Sequence, residues 1–264
     1  MSNSYILLHP TQINSGLFAF IWQSIRGIYH NPDKKYYIYF GPECCYFDDS
    51  ITGFNNVWEY YFEQPHSNYY PSTIEKTVGL IHDFESEFRE GFEEFGLNFD
   101  EYNKRRFTFN KIINKYFVLN TFMKQKIQNY YDVNFTNKKI LGIHCRGTDH
   151  PNNTDLSKYI TEISDIATEY DYIFAASDEQ SKINVLRYYF KDKLLTYNTF
   201  RSPNREPLHI SLRHMHNPRL IGEEALIEAY LLSKTDRLLF YTGSNVNFYV
   251  RALNPNLPYT QLHG

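Results

Sequence analysis

The residues best suited to chemistry lie in the segment 144–149, directly after the apolar run 140–143. The guanidinium of Arg146 offers several donors in a planar fork that suits phosphate oxygens, and it stays charged at any working pH. His144 lies two residues earlier, on the same side of an extended chain, where it can donate to the same group. The segment therefore predicts an anion site with Arg146 as a diphosphate ligand. The structural alternative is that Arg146 pairs with Asp149 while His144 packs in the core.

Two further polar clusters follow apolar runs at 172–176 and 238–241. They are residues 177–179 (Ser-Asp-Glu) and 242–245 (Thr-Gly-Ser-Asn). Turns of this composition present backbone N–H groups and hydroxyls at a helix N-terminus, where the helix dipole stabilises anions. Each cluster alone is an ordinary connection between a strand and a helix. Three of them at successive strand ends predict a ligand site at the carboxyl edge of a parallel sheet.

A sheet with helices on both faces is needed to bring these clusters together. From residue 139 onward, apolar runs of strand length alternate with helical spacing, which predicts a mostly parallel, doubly wound α/β sheet. In the first half, residues 5–9 and 36–40 are predicted strands, and the turn at 14–16 leads into a helix from Leu17.

Two stretches between these halves predict helices. Residues 73–106 are rich in Glu, Asp and Phe, which predicts broken helices with a solvated acidic face. The apolar spacing of residues 112–130 predicts one long amphipathic helix.

Residues 198–219, named here the basic segment, lack helical or strand periodicity and contain a single acid, Glu206. Loops of this length are usually functional or disordered. The basic segment therefore predicts either a lid that neutralises phosphates or a solvated connector. Its basic side chains are Arg201, Arg205, Arg213, Arg219, His209, His214 and His216.

Composition and charge exclude several classes of protein. The 264 residues are 42% hydrophobic, enough for a large core, and the formal net charge is -3. This charge argues against a dedicated nucleic-acid binder. No apolar run approaches the roughly 20 residues of a membrane span, and the amino terminus lacks the basic start and apolar length of a signal peptide. We therefore expect a cytoplasmic protein without a transmembrane segment.

The three cysteines do not predict a metal or redox site. Adjacent Cys44 and Cys45 lack the C-x-x-C spacing, and the odd total fits reduced thiols. Cys145 precedes an arginine, but a phosphatase loop would need its arginine at the position of Pro151. We therefore expect no metal ligands and no nucleophile among them.

Several motifs occur in an order known from one family. The chain resembles the GDP-fucose-dependent fucosyltransferase superfamily, which includes the α-1,6-fucosyltransferases, the nodulation fucosyltransferase and the protein O-fucosyltransferases. The resemblance covers roughly residues 139–253, and the first half is similar only at 14–18, which resemble the family's glycine-containing donor loop. The matching motifs are 144–149, 174–179, 226–228, 234–236 and 242–244.

The resemblance implies a GT-B-like α/β fold with two Rossmann-like halves and mostly parallel sheets. Residues 1–132 would form the acceptor-side domain and residues 133–264 the domain that binds the GDP-sugar. The implied activity is inverting, metal-independent transfer of fucose from GDP-fucose to a glycan hydroxyl, with no cofactor. Transfer from another GDP-sugar (mannose or heptose) and non-catalytic binding of a nucleotide or glycan remain alternatives.

The resemblance also implies donor-binding roles for eight residues. Arg146 would bind the β-phosphate and stabilise the leaving diphosphate, with His144 beside it on phosphate or ribose. Glu228 would accept from the guanine N1–H and N2–H, which selects guanine over adenine. The full set is Asn14, Gly16, His144, Arg146, Asp178, Glu228, Ser244 and Asn245.

The catalytic base departs from the family pattern. Many α-1,6 enzymes have a glutamate shortly after the first motif, where this chain has Thr154 and Asp155. Asp155 is therefore the candidate base, and it can equally be a helix cap. Glu59 and Glu63 are alternatives on the acceptor side, since a sugar hydroxyl needs a group that accepts its proton.

The aromatic stretch 58–62 has two interpretations. Its rings can pack on the faces of an acceptor sugar, or they can pack in the core of the first half.

Overall fold

The computed structural model of the chain describes residues 4–9, 15–51, 53, 55–79, 99–148, 155–240 and 244–262. The chain divides into two compact units, Met1–Thr121 and Phe122–Gly264. In each unit the named strands form one parallel sheet. Parallel strands need crossover connections, and helices supply most of them. The predicted α/β class with mostly parallel sheets is confirmed.

The first unit contains a three-stranded sheet in the order β2-β1-β3. Helix α1 lies between β1 and β2 in the sequence and buries an apolar face that includes Phe20, Ile21 and Ile25. The predicted strands near residues 5 and 36 and the helix from Leu17 are therefore confirmed. The described elements are β1 (Tyr5–His9), α1 (Leu17–Tyr29), β2 (Tyr36–Ile38), β3 (Ile74–Gly79) and α2 (Phe99–Tyr116).

The aromatic stretch 58–62 belongs to the core of this unit. Trp58 stacks on Phe62 with ring centroids 4.3 Å apart and meets Phe117 edge-on at 5.1 Å. Tyr61 is also fully buried. Large rings gain most when their area is removed from water, so these residues stabilise the unit. The interpretation of this stretch as an acceptor wall is wrong.

The helical prediction for residues 73–106 needs correction at its start. Residues 74–79 form the strand β3, and residues 80–98 lie outside the described part of the chain. β3 is an edge strand whose Glu75 and Lys76 are exposed, so its sequence has little apolar alternation. Residues 74–79 form a strand because they pair with β1, which is distant in the sequence, and local composition does not reveal this pairing.

The predicted single helix over residues 112–130 is two helices, α2 and α3 (Thr121–Asn134). Between them Phe117 is buried, and the Val118 carbonyl accepts from the Glu63 N–H at 2.8 Å. This bond to a distant part of the chain replaces the helical one. The helical spacing of apolar residues continues across the break, and the sequence pattern therefore predicts one helix.

The second unit contains a five-stranded sheet in the order β6-β5-β4-β7-β8. The chain passes from β4 outward to β5 and β6, then returns to the other side of β4 for β7 and β8. Such a switch point opens a crevice at the carboxyl ends of the strands, where α/β proteins bind ligands. Besides α3, the elements are β4 (Ile140–His144), α4 (Ile160–Ala167), β5 (Tyr172–Ala176), α5 (Gln180–Phe190), β6 (Leu194–Leu195), α6 (Pro218–Leu232), β7 (Arg237–Phe240), α7 (Asn245–Leu253) and β8 (Tyr259–Gln261).

The unit boundary lies at the start of α3, and the predicted boundary after residue 132 falls within this helix. The rings of Tyr130 and Phe135 meet Phe174 of β5 at 5.8 and 5.3 Å. Lys126 pairs with Glu223 of α6. An amphipathic helix between two units can bury its apolar face against either unit, and the sequence pattern does not indicate which one. None of the described helices is long and apolar enough to cross a membrane.

Tyr61→Ala tests the aromatic core of the first unit. Removing a fully buried aromatic side chain costs about 3 to 5 kcal/mol, so we expect a loss of this size in the free energy of unfolding, measured by urea denaturation. The matched control is Tyr69→Ala, because Tyr69 is 83% exposed. The control should change the free energy by less than about 0.5 kcal/mol. Equal effects of the two substitutions would contradict the core assignment.

Candidate functional site

Strand register brings the three polar clusters to one edge of the second sheet. His144, the last residue of β4, is paired with Ala176 of β5 and Phe240 of β7. Ala176 is followed directly by the cluster 177–179, the cluster 242–245 begins two residues after Phe240, and His144 is itself the first residue of the cluster 144–149. The predicted meeting of polar groups at the carboxyl edge is therefore confirmed for the first two clusters. In the third, residues 241–243 lie outside the described part of the chain, and the description resumes at Ser244.

The carboxylate of Asp178 holds the loop that follows β4. It accepts hydrogen bonds from the Arg146 guanidinium, from the Gly147 N–H at 2.8 Å and from the Thr148 hydroxyl at 2.7 Å. Thr148 adopts a left-handed backbone conformation, with φ of 28°, which these bonds help to maintain. Asp149, the alternative partner predicted for Arg146, lies outside the described residues. The observed partner comes from the neighbouring strand.

Gly147 allows β4 and β5 to approach each other closely at this edge. A Cβ atom at position 147 would lie 2.5 Å from Glu179 Cβ and 3.0 Å from Asp178 Oδ1. No side chain other than hydrogen fits that space. The Arg146 side chain nevertheless remains 26% exposed, so the guanidinium is fixed by Asp178 and still accessible to a ligand.

His144 is a buried, neutral imidazole. Burial lowers its pKa to about 4, although the Asp178 carboxylate and a polar contact with Asn247 partly offset this effect. Its Nδ1 atom has no hydrogen-bond partner among the described residues. A buried nitrogen without a partner is costly, so a ligand or water that bonds Nδ1 would be favoured.

The N-terminus of α7 lies at the end of the third cluster. The Ser244 hydroxyl oxygen caps the helix by accepting from the Asn247 N–H at 3.2 Å, and the exposed Asn245 is the first helical residue. Helix N-termini favour anions. Asn247, which is buried beside His144, was not predicted as a site residue, because a polar residue in the first turn of a helix carries no signal of burial.

Glu228 of α6 is buried in an ion pair with Arg201. The Arg201 guanidinium donates to Glu228 Oε1 at 2.7 Å, to the Tyr197 carbonyl at 3.2 Å and to the Ser177 carbonyl. Burial raises the pKa of Glu228 to about 7, against the lowering effect of Arg201. Glu228 Oε2 accepts no hydrogen bond from the residues that the structure describes, which leaves it available to a ligand.

The basic segment is anchored by acids of the second unit. Glu224 accepts from the Thr199 hydroxyl at 2.7 Å and from the Phe200 N–H at 2.9 Å, and its other oxygen lies 3.0 Å from His216 Nε2. The segment is thus neither a lid of free cations nor a loose connector. Other pairs are Arg201 with Glu228, Arg205 with Glu179 and Arg219 with Glu223, whereas Arg213 and His214 are exposed.

Among the remaining predicted site residues, Asp155 belongs to the second unit and Gly16 to the first. Asp155 caps a short 3-10 helix by accepting from the Ser157 N–H and hydroxyl, and these bonds lower its pKa. Gly16 precedes α1 in the first unit, in an extended conformation, and Asn14 is outside the described residues. The Glu59 carboxylate accepts from side chains of its own unit, including Tyr37 at 3.2 Å.

Cys145 is excluded as a nucleophile by its burial. Cys145 is fully buried, and burial raises the pKa of its thiol to about 12, so it is not a nucleophile. Within the described ranges, no group of three or more His, Cys, Asp or Glu side chains is arranged to hold a metal ion.

Gly147→Ala tests the close approach of β4 and β5. Glu179 Cβ is fixed to the backbone and cannot rotate away, so the added methyl group should force a shift that destabilises the fold by about 1 to 3 kcal/mol. The matched control is Gly41→Ala, whose nearest atoms belong to the flexible carboxylate of Glu43. Urea denaturation should show a loss only for the Gly147 variant. A loss of equal size in both would contradict this account.

Known proteins are similar to this chain in structure. No protein-family model and no curated protein sequence matches it. NodZ α-1,6-fucosyltransferase soaked with GDP-fucose matches with a TM-score of 0.57 at 14% identity, over 96% of this chain and 93% of that chain. Fucosyltransferase NodZ from Bradyrhizobium matches with a TM-score of 0.57 at 15% identity, over 96% of this chain and 94% of that chain. A variant of Arabidopsis thaliana FUT1 in complex with GDP matches with a TM-score of 0.52 at 13% identity, over 97% of this chain and 69% of that chain. The chain therefore shares the GT-B-like α/β fold of these fucosyltransferase structures.

Proposed function

We propose that the chain is a glycosyltransferase that moves fucose from GDP-fucose to a glycan hydroxyl. The observation that carries this proposal is the accessible Arg146 guanidinium, fixed by Asp178 at the switch point of the second sheet. The neutral His144 lies beside it in the sequence, and α7 begins just after the neighbouring strand β7. The solved structures with this fold include one soaked with GDP-fucose and one in complex with GDP, which supports the proposal.

The diphosphate would be bound by fixed charges and dipoles. Negative charge develops on GDP as the sugar leaves, and preorganised donors stabilise such charge most effectively. Arg146 would bind the β-phosphate, while Ser244 and Asn245 at the start of α7 would bond other phosphate oxygens. His144 would contact phosphate or ribose through its unpartnered nitrogen. In this proposal no metal is required and the reaction inverts the anomeric centre.

The guanine base would be read by Glu228. An ionised carboxylate can accept from both the N1–H and the N2–H of guanine, whereas adenine offers an acceptor at the first of these positions. Oε2 of Glu228 is available, and Oε1 retains a lone pair beside its bond to Arg201. Asp178 would act indirectly, by holding Arg146.

The acceptor hydroxyl would need a proton acceptor, and Asp155 remains the residue predicted for this role. Its bonds to Ser157 make it a weaker base than an ordinary carboxylate. This observation favours the second candidate function, in which the chain binds a nucleotide or glycan without transfer. The use of GDP-mannose or a GDP-heptose is a further alternative, because Arg146 and Glu228 would recognise GDP and not the sugar.

Nucleotide binding provides the direct test. We expect GDP and GDP-fucose to raise the melting temperature, with ADP and UDP much weaker, whether EDTA or magnesium is present. A ligand that binds only the native state at about 100 times its Kd adds about 2.7 kcal/mol of stability. Stabilisation by no guanine nucleotide would refute the donor site. Hydrolysis of GDP-mannose without hydrolysis of GDP-fucose would refute the fucose assignment, and GDP binding without turnover on a panel of glycans would favour the non-catalytic function.

Arg146→Ala tests the phosphate contact. A hydrogen bond to a charged group contributes about 1.5 to 3 kcal/mol, so GDP affinity should fall about 10- to 100-fold and turnover should be lost. The fold should persist, because Asp178 keeps its bonds to Gly147 and Thr148. Arg187→Ala, on the exposed side of α5, is the matched control. Isothermal titration calorimetry measures both, and full GDP affinity in Arg146→Ala would contradict the assignment.

A further inference from the structure

The basic segment contains an arginine whose guanidinium is bound by the protein itself. Arg201 is buried, and its guanidinium donates to three protein oxygens. We propose that Arg201 is a positioning residue that fixes the base-reading carboxylate of Glu228 and thereby sets the nucleotide preference of the site. This inference rests on the proposed function, in which Glu228 contacts the nucleobase.

The backbone of Arg201 is held in place by the end of β5. Ser202 N–H donates to the Asp178 carbonyl at 2.8 Å, and the Ser202 carbonyl accepts from the Gln180 N–H at 2.9 Å. These two bonds extend the parallel pairing by one bridge beyond the named strands. The Cα atom of Arg201 is therefore anchored beside the same aspartate that holds the phosphate-binding loop.

The guanidinium is held at its other end by three oxygens from separate places in the fold. The Ser177 carbonyl lies at the end of β5, the Tyr197 carbonyl follows β6, and Glu228 lies on α6. A planar fork with several fixed donors imposes a direction on each acceptor that it bonds. Arg201 therefore sets the orientation of the Glu228 carboxylate relative to the strand ends.

Arg201 is also the cation that opposes protonation of Glu228. Around this carboxylate lie the acids Glu224 on α6 and Asp178 after β5, and the hydroxyl-bearing rings of Tyr130 on α3 and Tyr197 after β6. Burial and the two acids raise the pKa of Glu228, and Arg201 lowers it, with a net value of about 7. Loss of Arg201 would move the pKa upward.

The protonation state of Glu228 decides which base it can read. The ionised carboxylate offers only acceptors, which suit the two N–H groups of guanine. The protonated carboxyl offers one donor and one acceptor, which suit N1 and the amino group of adenine. Because the pKa is raised, the ionised form dominates above about pH 7 and is lost as the pH falls through that value. The preference for GDP over ADP should therefore decline as the pH falls.

The test is the ratio of GDP to ADP affinity, measured by calorimetry from about pH 6 to about pH 9. Protonation of the diphosphate itself is common to both nucleotides and largely cancels in the ratio. In the wild type the ratio should decline below about pH 7. In Arg201→Met the decline should begin at higher pH, and the ratio at neutral pH should fall about tenfold for each unit by which the midpoint moves. Arg213→Met, an exposed arginine of the same segment, should match the wild type.

Two further variants keep the test decisive. Arg201→Lys retains a charge without the planar fork, so its midpoint should lie between those of the wild type and Arg201→Met; it also serves if the Met variant does not fold. Glu228→Gln cannot titrate, so its ratio should be low and independent of pH. A wild-type midpoint in both Arg201 variants would overturn the positioning role while leaving the proposed function intact. A wild type that does not discriminate GDP from ADP, or Glu228→Gln that behaves like the wild type, would overturn both.

Discussion

One carboxylate, that of Asp178, determines the geometry of the candidate site. It lies at the end of β5 and accepts from three successive residues of the loop after β4, including the Arg146 guanidinium and the Gly147 N–H. These bonds can form only because β4 and β5 are parallel and in register up to His144. They also require a glycine at position 147, where the two strand ends come closest. The accessible cation is thus a consequence of sheet register and close packing, and it is in place before any ligand binds.

The same pairing of cations with acids recurs throughout the second unit. Arg201 pairs with Glu228, and the basic segment is held to α6 by Glu224. A long cationic side chain loses rotamer entropy when it is ordered. Where an acid already holds the side chain in the folded protein, this entropy is lost on folding and not when a ligand binds. The pairing also reduces the net positive charge of the edge. In the proposed function, anion binding would depend on the direction of the donors, from Arg146 and the α7 N-terminus, more than on total charge.

The local parts of this arrangement were predictable from the sequence, and the long-range parts were not. β4 and β5 are short apolar runs followed by polar clusters, so their existence and the polar edge follow from local pattern. The partner of Arg146 did not, because Asp178 lies 32 residues away and only register brings it near. The strand β3 and the break before α3 were missed for the same reason: pairing with β1 and a bond to Glu63 outweigh local composition. The basic segment was predicted to be a lid or a solvated connector because the acids that bind it, Glu179 and those of α6, lie outside it in the sequence.

Residue type alone also failed to separate an accessible arginine from a buried, structural one. Arg146 lies just beyond β4, Arg201 follows β6 after a longer connection, and both donate to an acid. They differ in how their remaining donors are used: Arg201 is surrounded by backbone carbonyls in a buried position, whereas Arg146 remains partly exposed. Burying a guanidinium is tolerable only when its charge and most of its donors are satisfied, so a buried arginine is committed to the protein and an exposed one can still bind a ligand. This distinction requires coordinates, and a fold shared at 13 to 15% identity cannot replace it, because many functions occur on one fold and the site decides among them.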